Sequence, residues 1–137
     1  MSNSTDGKSG RENLPVLIVE DDAPLRGFLE FSFVAKQISC ITAGTVDEAC
    51  SLLKGTKIAL LLLDWGLDKS AVPVLQLCRT LNPLMPVIVM SGGTLDVRKD
   101  PILAEADSLL QKPFHPAVLT SQIESCLNDY ALLQCVQ

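Results

Sequence analysis

From Leu14 onward the chain alternates between short unbroken apolar runs and longer stretches whose apolar residues recur every three or four positions. The short runs are VLIV at Val16–Val19, IALLLL at residues 58–63 and VIVM at residues 87–90, with weaker members at residues 38–42 and Ser108–Gln111. A strand with one wet face would alternate apolar and polar residues. Continuous Val, Ile and Leu instead fit strands covered on both sides. The longer stretches carry helical stripes: Leu25, Phe28 and Leu29; Ala49, Leu52 and Leu53; Leu119, Ile123, Cys126, Leu127 and Tyr130. Start signals accompany them. Asp22 precedes Pro24, Thr45 and Glu48 have capping-box spacing, Ser70 precedes Pro73, and Pro116 opens the last helix. Residues 95–106 make the poorest helix, because Pro101 lacks a backbone donor and clashes with the preceding turn, so a short, kinked or split element is expected there. Five strand–helix units in strict alternation predict an α/β fold. Its core is a doubly wound, five-stranded parallel sheet, order 2-1-3-4-5, with helices on both faces.

Composition narrows the picture without changing it. The 137 residues fit one core, and 47 % of them are hydrophobic, which gives ample material to bury. Residues 1–13 hold no apolar side chain after Met1 and read as a flexible tail or linker, leaving 14–133 as the domain and no room for an effector domain. The net charge of −5 and the lack of a basic stripe argue against direct nucleic-acid binding. No apolar run is long enough to span a bilayer and no signal-peptide core is present, so a cytoplasmic protein with no membrane contact is expected. The five cysteines form no CxxC pair and read as reduced, mostly buried thiols, while the single histidine, His115, reads as a loop residue before Pro116.

The chemistry stands at the strand ends. Glu20, Asp21 and Asp22 follow the first run, Asp64 the third, Ser91 and Gly92 the fourth, and Lys112 the fifth. In a parallel sheet of this order, these carboxyl ends share one edge, and a crevice opens where the order reverses, between strands 1 and 3. A lone Asp after a strand is ordinarily a turn residue or helix cap, and Asp22 can be no more than that. Three carboxylates in one crevice, however, repel by about 4 kcal/mol per pair at 4 Å with an effective dielectric near 20. A cation is needed, and oxygen ligands without His or thiolate select Mg²⁺ or a similar hard ion. A carboxylate beside such an ion is a nucleophile for phosphorus, with Lys112 as a point charge, Ser91 as a hydroxyl donor, and the backbone N–H groups of Trp65 and Gly92 as further donors.

The strings VLIVEDD with Arg26 four positions after Asp22, LLLLDWG, PVIVMSGG and LLQKPF, in that order over residues 14–130, resemble the receiver domain of two-component response regulators. The resemblance implies that Asp64 is the phosphoacceptor and that Glu20, Asp21, Asp64 and the Gly66 carbonyl hold Mg²⁺. It further implies that Lys112 and Ser91, with Trp65 and Gly92, bind the phosphoryl group, that the Lys112–Pro113 bond is cis, and that Ser91 and position 109 form the switch. Its implied partners are a sensor histidine kinase or histidine phosphotransfer domain as phosphodonor and a downstream protein, with dimerisation left open. Such a domain is not an enzyme acting on a separate substrate, although it catalyses its own phosphorylation and dephosphorylation. The chain departs from the family pattern at Leu109, where an aromatic residue is usual, at Asp68, where proline is usual, around Ala71 and Val72, and at Pro101.

Two other readings compete. One is a phosphorylation-independent interaction module, which Leu109 and Pro101 favour. The other is an aspartate-nucleophile phosphatase of the haloacid dehalogenase type, which requires a second Asp where this chain has Gly66.

Overall fold

The computed structural model describes residues 14–67 and 69–136, with side chains described through residue 131. The expected tail at residues 1–13 and the Asp68 departure lie outside the described residues. Five strands, β1 (Val16–Val19), β2 (Cys40–Ala43), β3 (Leu60–Asp64), β4 (Val87–Ser91) and β5 (Ser108–Gln111), form one parallel sheet in the order β2-β1-β3-β4-β5. Among the described residues, four α-helices accompany them: α1 (Ala23–Ala35), α2 (Val46–Gly55), α3 (Val72–Leu81) and α4 (Pro116–Val136).

The unbroken apolar runs have the predicted cause. On one face of the sheet, Val16, Ile18, Leu60, Leu62, Ile88 and Met90 pack with Leu29 and Phe33 of α1 and Leu119 and Ile123 of α4. On the other, Leu17, Val19, Leu61, Leu63, Val87 and Val89 pack with Ala49 and Leu53 of α2 and Val74, Leu75 and Cys78 of α3. Successive side chains point to opposite faces, and both faces are dry, so every position along β1, β3 and β4 is buried.

Helix starts follow the local signals. The Asp22 carboxylate accepts the Leu25 N–H at 3.0 Å, with proline in the first turn of α1. Thr45 Oγ1 accepts the Glu48 N–H at 3.1 Å. The return bond is displaced by one residue, because Glu48 Oε1 accepts from the Gly44 N–H at 2.9 Å rather than from the N-cap itself. Val72 N–H donates to Ser70 Oγ at 3.2 Å at the head of α3.

The short element expected around Pro101 is a 3-10 helix at Pro101–Glu105, between β4 and β5. Asp100, the residue before the proline, has φ −124° and ψ 81°, outside the α region that proline disfavours in its predecessor. Arg79 of α3 supplies what helical hydrogen bonding does not: its Nε and Nη2 donate to Glu105 O at 2.9 and 2.6 Å, and Nη2 also reaches Asp107 Oδ2 at 2.9 Å. Its Nη1 donates to Met85 O at 2.6 Å and Pro83 O at 3.3 Å, so one guanidinium ties the end of α3, the approach to β4 and the approach to β5.

One expectation is corrected at Phe28, expected on the core face of α1. It is 50 % exposed, whereas Leu29 and Phe33, four residues apart, carry the contact with the sheet. Phe28 instead borders a shallow groove with Leu25, Pro113 and Phe114. Among the described residues, no helix is long and apolar enough to cross a membrane.

Candidate functional site

The carboxyl ends of β1 and β3 deliver the acids to one place. Glu20 directly follows β1, Asp64 is the last residue of β3, and the Val19↔Leu63 register brings the two strand ends level. Glu20, Asp21 and Asp64 each offer a carboxylate oxygen within 4.8 Å of the others, with Glu20 and Asp64 buried and Asp21 exposed. Lys112, just past β5, closes the group: its Nζ is 2.8 Å from Glu20 Oε1 and 3.2 Å from Asp64 Oδ1. One ammonium bridges the two buried carboxylates.

The electrostatics follow from burial. Glu20 is 1 % exposed, and that desolvation holds its carboxyl above the usual carboxylate range. Hydrogen bonds from Lys112 and from the Asp22 N–H, the latter at 3.2 Å, pull the other way, and the charge of Asp64 adds to the rise. For Lys112 the largest single influence is again burial, which acts downward. The hydrogen bond to Glu20 and the charges of Asp64 and Glu20 together outweigh it, leaving the ammonium above its ordinary value. The lysine is therefore firmly charged and is shared between the two buried carboxylates.

The chemistry of the donor set supplies the fit test for a metal. The donor atoms are carboxylate oxygens, two of the three side chains are withdrawn from water, and neither His nor Cys takes part in the cluster. This set suits a hard divalent cation of the Mg²⁺ kind, which accepts carboxylate, carbonyl and water oxygens.

The remaining candidates fall unevenly around this centre. Gly66 lies beside it, with its N–H donating to Asp64 Oδ1 at 3.2 Å, and a Cβ at this position would stand 3.7 Å from the same oxygen. Trp65 is turned away from the expected role. Its N–H is committed to Met90 O at 2.7 Å as a continuation of the β3–β4 ladder, and its ring packs on the core, so the backbone donor at Asp64 is Gly66 instead. Sequence reading picked the residue immediately after the acid; the ladder extends one residue past the strand and moves the free donor on by one.

Ser91 ends β4 and is 7 % exposed, and its Oγ accepts the Gly93 N–H at 3.0 Å. Its carbonyl accepts the Lys112 N–H at 2.7 Å, which fixes the lysine backbone to β4. Gly92 is exposed on the same rim. Leu109 stands on β5 two residues before Gln111 and is 36 % exposed. The Lys112–Pro113 peptide bond is cis.

Two sets of contacts and one cavity have no counterpart in the sequence reading. Arg26 Nη1 donates to Glu20 O at 2.8 Å, anchoring the backbone of the acidic pair, and Gly44 leaves room for it: a Cβ there would lie 2.9 Å from that nitrogen. Gln111 Nε2 donates to Gly93 O at 3.0 Å and Gly92 O at 3.4 Å. A small cavity of about 170 Å³ lies beside Asp21, lined by Gly44, Thr45, Asp47, Leu67 and Lys69.

Comparison with known proteins identifies the family and the fold. The profile of the response regulator receiver domain family matches residues 16–124. Among curated relatives, the phosphate regulon transcriptional regulatory protein PhoB of Pseudomonas aeruginosa is 27 % identical over 118 residues, covering 82 % of this chain and 51 % of that protein. A putative NtrX-like response regulator of Rickettsia felis is 28 % identical over 106 residues, covering 74 % of this chain and 22 % of that protein. The chain thus spans between about a fifth and a half of the length of these two relatives. Among solved structures, a CheY-like receiver domain protein from Methanospirillum hungatei superposes with a TM-score of 0.80 at 23 % identity, covering 86 % of this chain and 96 % of that one. The response regulator TrrA of Thermotoga maritima, solved in complex with Mg²⁺ and BeF, gives 0.75 at 20 % identity, covering 82 % and 98 %. At these identities the structural likeness establishes the fold.

Proposed function

The chain belongs to the response regulator receiver domain family, and from that premise we propose that it is a phosphorylation-controlled switch whose acceptor is Asp64, within a receiver unit of residues 14–133. The observation that carries the proposal is the buried Asp64 carboxylate, bonded to Lys112 Nζ and within 4.8 Å of the Glu20 and Asp21 oxygens. The donor is a phosphohistidine on a sensor kinase or phosphotransfer domain. A carboxylate oxygen of Asp64 forms the new bond to phosphorus while the P–N bond breaks, and its electron pair returns to the imidazole nitrogen.

Each residue has a task in that transfer. Lys112 neutralises charge on the transferred oxygens, the Ser91 hydroxyl donates to them, and the Gly66 and Gly92 N–H groups serve as further donors. Glu20, Asp21, Asp64 and the Gly66 carbonyl would hold Mg²⁺, which when bound supplies the positive charge that lets an anionic donor approach an anionic acceptor. The TrrA complex with Mg²⁺ and BeF is consistent with this assignment. Phosphorylation adds about −1.5 to −2 charge at Asp64, and the groups that bind it bias a pre-existing two-state equilibrium of the surrounding loops. The output is a changed affinity for a downstream protein in the cytoplasm.

Incubation with Mg²⁺ and acetyl phosphate, followed by intact-mass measurement, tests the reading. The expected result is one phosphoryl group on the wild type and none on Asp64→Asn. A wild type that gains nothing from acetyl phosphate or from a phosphorylated kinase refutes it, and partner affinity indifferent to both phosphodonor and Asp64→Asn would assign the chain to the interaction-module class.

A further inference from the structure

Ser91 is connected to the far side of the sheet edge by an unbroken chain of hydrogen bonds. Its hydroxyl oxygen accepts the Gly93 N–H at 3.0 Å. That N–H belongs to the same rigid peptide unit as the Gly92 carbonyl, and the Gly92 carbonyl accepts from Gln111 Nε2 at 3.4 Å. The same nitrogen donates at 3.0 Å to the Gly93 carbonyl, so one side-chain amide grips two successive peptide units of the turn that follows β4. Gln111 is well placed for this because it pairs with Ser91 across the β4–β5 register, and its main chain leads directly to Lys112.

The turn needs such a grip. Gly92 and Gly93 carry no side chains, Gly92 has open space where a Cβ would be, and glycine peptides reorient more freely than any others. Turning the Ser91 oxygen toward an anion on Asp64 surrenders the Gly93 N–H unless the peptide follows, and Gln111 holds the peptide where it is.

We propose that Gln111 is a positioning residue that latches the Gly92–Gly93 turn in the unphosphorylated arrangement and so sets the energy gap that phosphorylation must overcome. The proposal rests on the reading of Asp64 as phosphoacceptor and Ser91 as its hydroxyl partner. Its consequence has a definite sign: removing the amide donors loosens the resting state and raises the population that accepts the phosphoryl group. A net hydrogen bond of ordinary strength corresponds to about a two- to tenfold change in apparent affinity.

The test uses Mg²⁺ with beryllofluoride as a phosphoryl mimic, read by the fluorescence of Trp65, the single tryptophan, adjacent to Asp64. Gln111→Met keeps the length of the side chain without its donors, and Gln111→Glu keeps the shape but presents acceptors to the two carbonyls. Both are expected to bind the mimic about two- to tenfold more tightly than wild type, with the Gly92 and Gly93 amide resonances shifted in the unbound protein. Gln111→Lys, which restores a donor, is expected to return toward wild-type affinity. Equal or weaker binding by Gln111→Met and Gln111→Glu overturns the latch even where unfolding midpoints change. A wild type with no saturable response to Mg²⁺ and beryllofluoride instead refutes the acceptor reading on which the latch depends.

Discussion

Replacing Asp64 by asparagine should stabilise the metal-free protein. Asn is nearly isosteric with Asp, and its Oδ1 can still accept the bonds that Asp64 Oδ1 receives from Lys112 Nζ at 3.2 Å and Gly66 N at 3.2 Å. The substitution therefore changes charge with little change in packing. With oxygens taken at the 4.8 Å outer limit of the cluster, Asp64 repels each of Glu20 and Asp21 by about 3.5 kcal/mol at an effective dielectric of 20. Lys112 at 3.2 Å returns about 5 kcal/mol on the same scale. The balance is about 2 kcal/mol of net repulsion, and the exposure of Asp21 to solvent reduces it to about 1–2 kcal/mol. For a chain of this length that is a rise of about 3–7 °C in Tm. Urea and thermal unfolding in chelator measure it. Added Mg²⁺ should then reverse the order, stabilising the wild type in proportion to its affinity and the variant less. An Asp64→Asn protein that is less stable than wild type in chelator would show that the cluster is not under repulsive strain, and the argument for a resident cation would lose its physical basis.

Three further outcomes are expected. Arg79→Ala should cost about 2–3 kcal/mol in urea unfolding, because it strips donors from three backbone carbonyls and Asp107, and Arg79→Lys should recover less than half, since an ammonium cannot reproduce the fork. Lys112→Met should destabilise the metal-free protein by about 2–3 kcal/mol, the cost of leaving Glu20 and Asp64 without their cation, and equilibrium unfolding in chelator checks it. Burial pushes the Cys78 thiol up to about 11 from its ordinary 9.0, so the folded state holds that proton more tightly than the unfolded one. The associated stability is complete below pH 9 and is lost as pH rises toward 11. Relative to Cys78→Val, the wild type should lose about 1.4 kcal/mol between pH 8 and pH 10, and parallel pH profiles of the two proteins would contradict it.

The fold was legible because its three inner strands are buried on both faces: a run such as residues 58–63 admits few other placements, and the parallel order follows from the alternation of strands and helices. The juxtaposition of Glu20, Asp21, Asp64 and Lys112 was legible for the same reason, since each sits at the carboxyl end of a strand and the sheet aligns those ends. What escaped sequence reading depends on long-range side-chain bonds or on a single residue of ladder. Arg79 reaches Glu105 and Asp107 across 26 and 28 positions, and no local pattern announces it. Proline at 101 predicted a disturbed helix, but not that a distant arginine would bond the end of the 3-10 helix at Glu105 O. The backbone donor to Asp64 is Gly66 rather than Trp65 because β3 bonding to β4 continues one residue beyond Asp64. Phe28 and Phe33 are both apolar on α1, and only the seating of the helix on the sheet decides that Phe33 is the one enclosed.

The central claim is that a phosphoryl group bonds covalently to the carboxylate at position 64, and reductive trapping tests it most directly. Treatment of the Mg²⁺- and acetyl-phosphate-loaded protein with borohydride converts an acyl phosphate to an alcohol, so peptide mass spectrometry should find homoserine at position 64 and an unaltered Asp21. Homoserine at another acidic residue, or at none, would contradict the account.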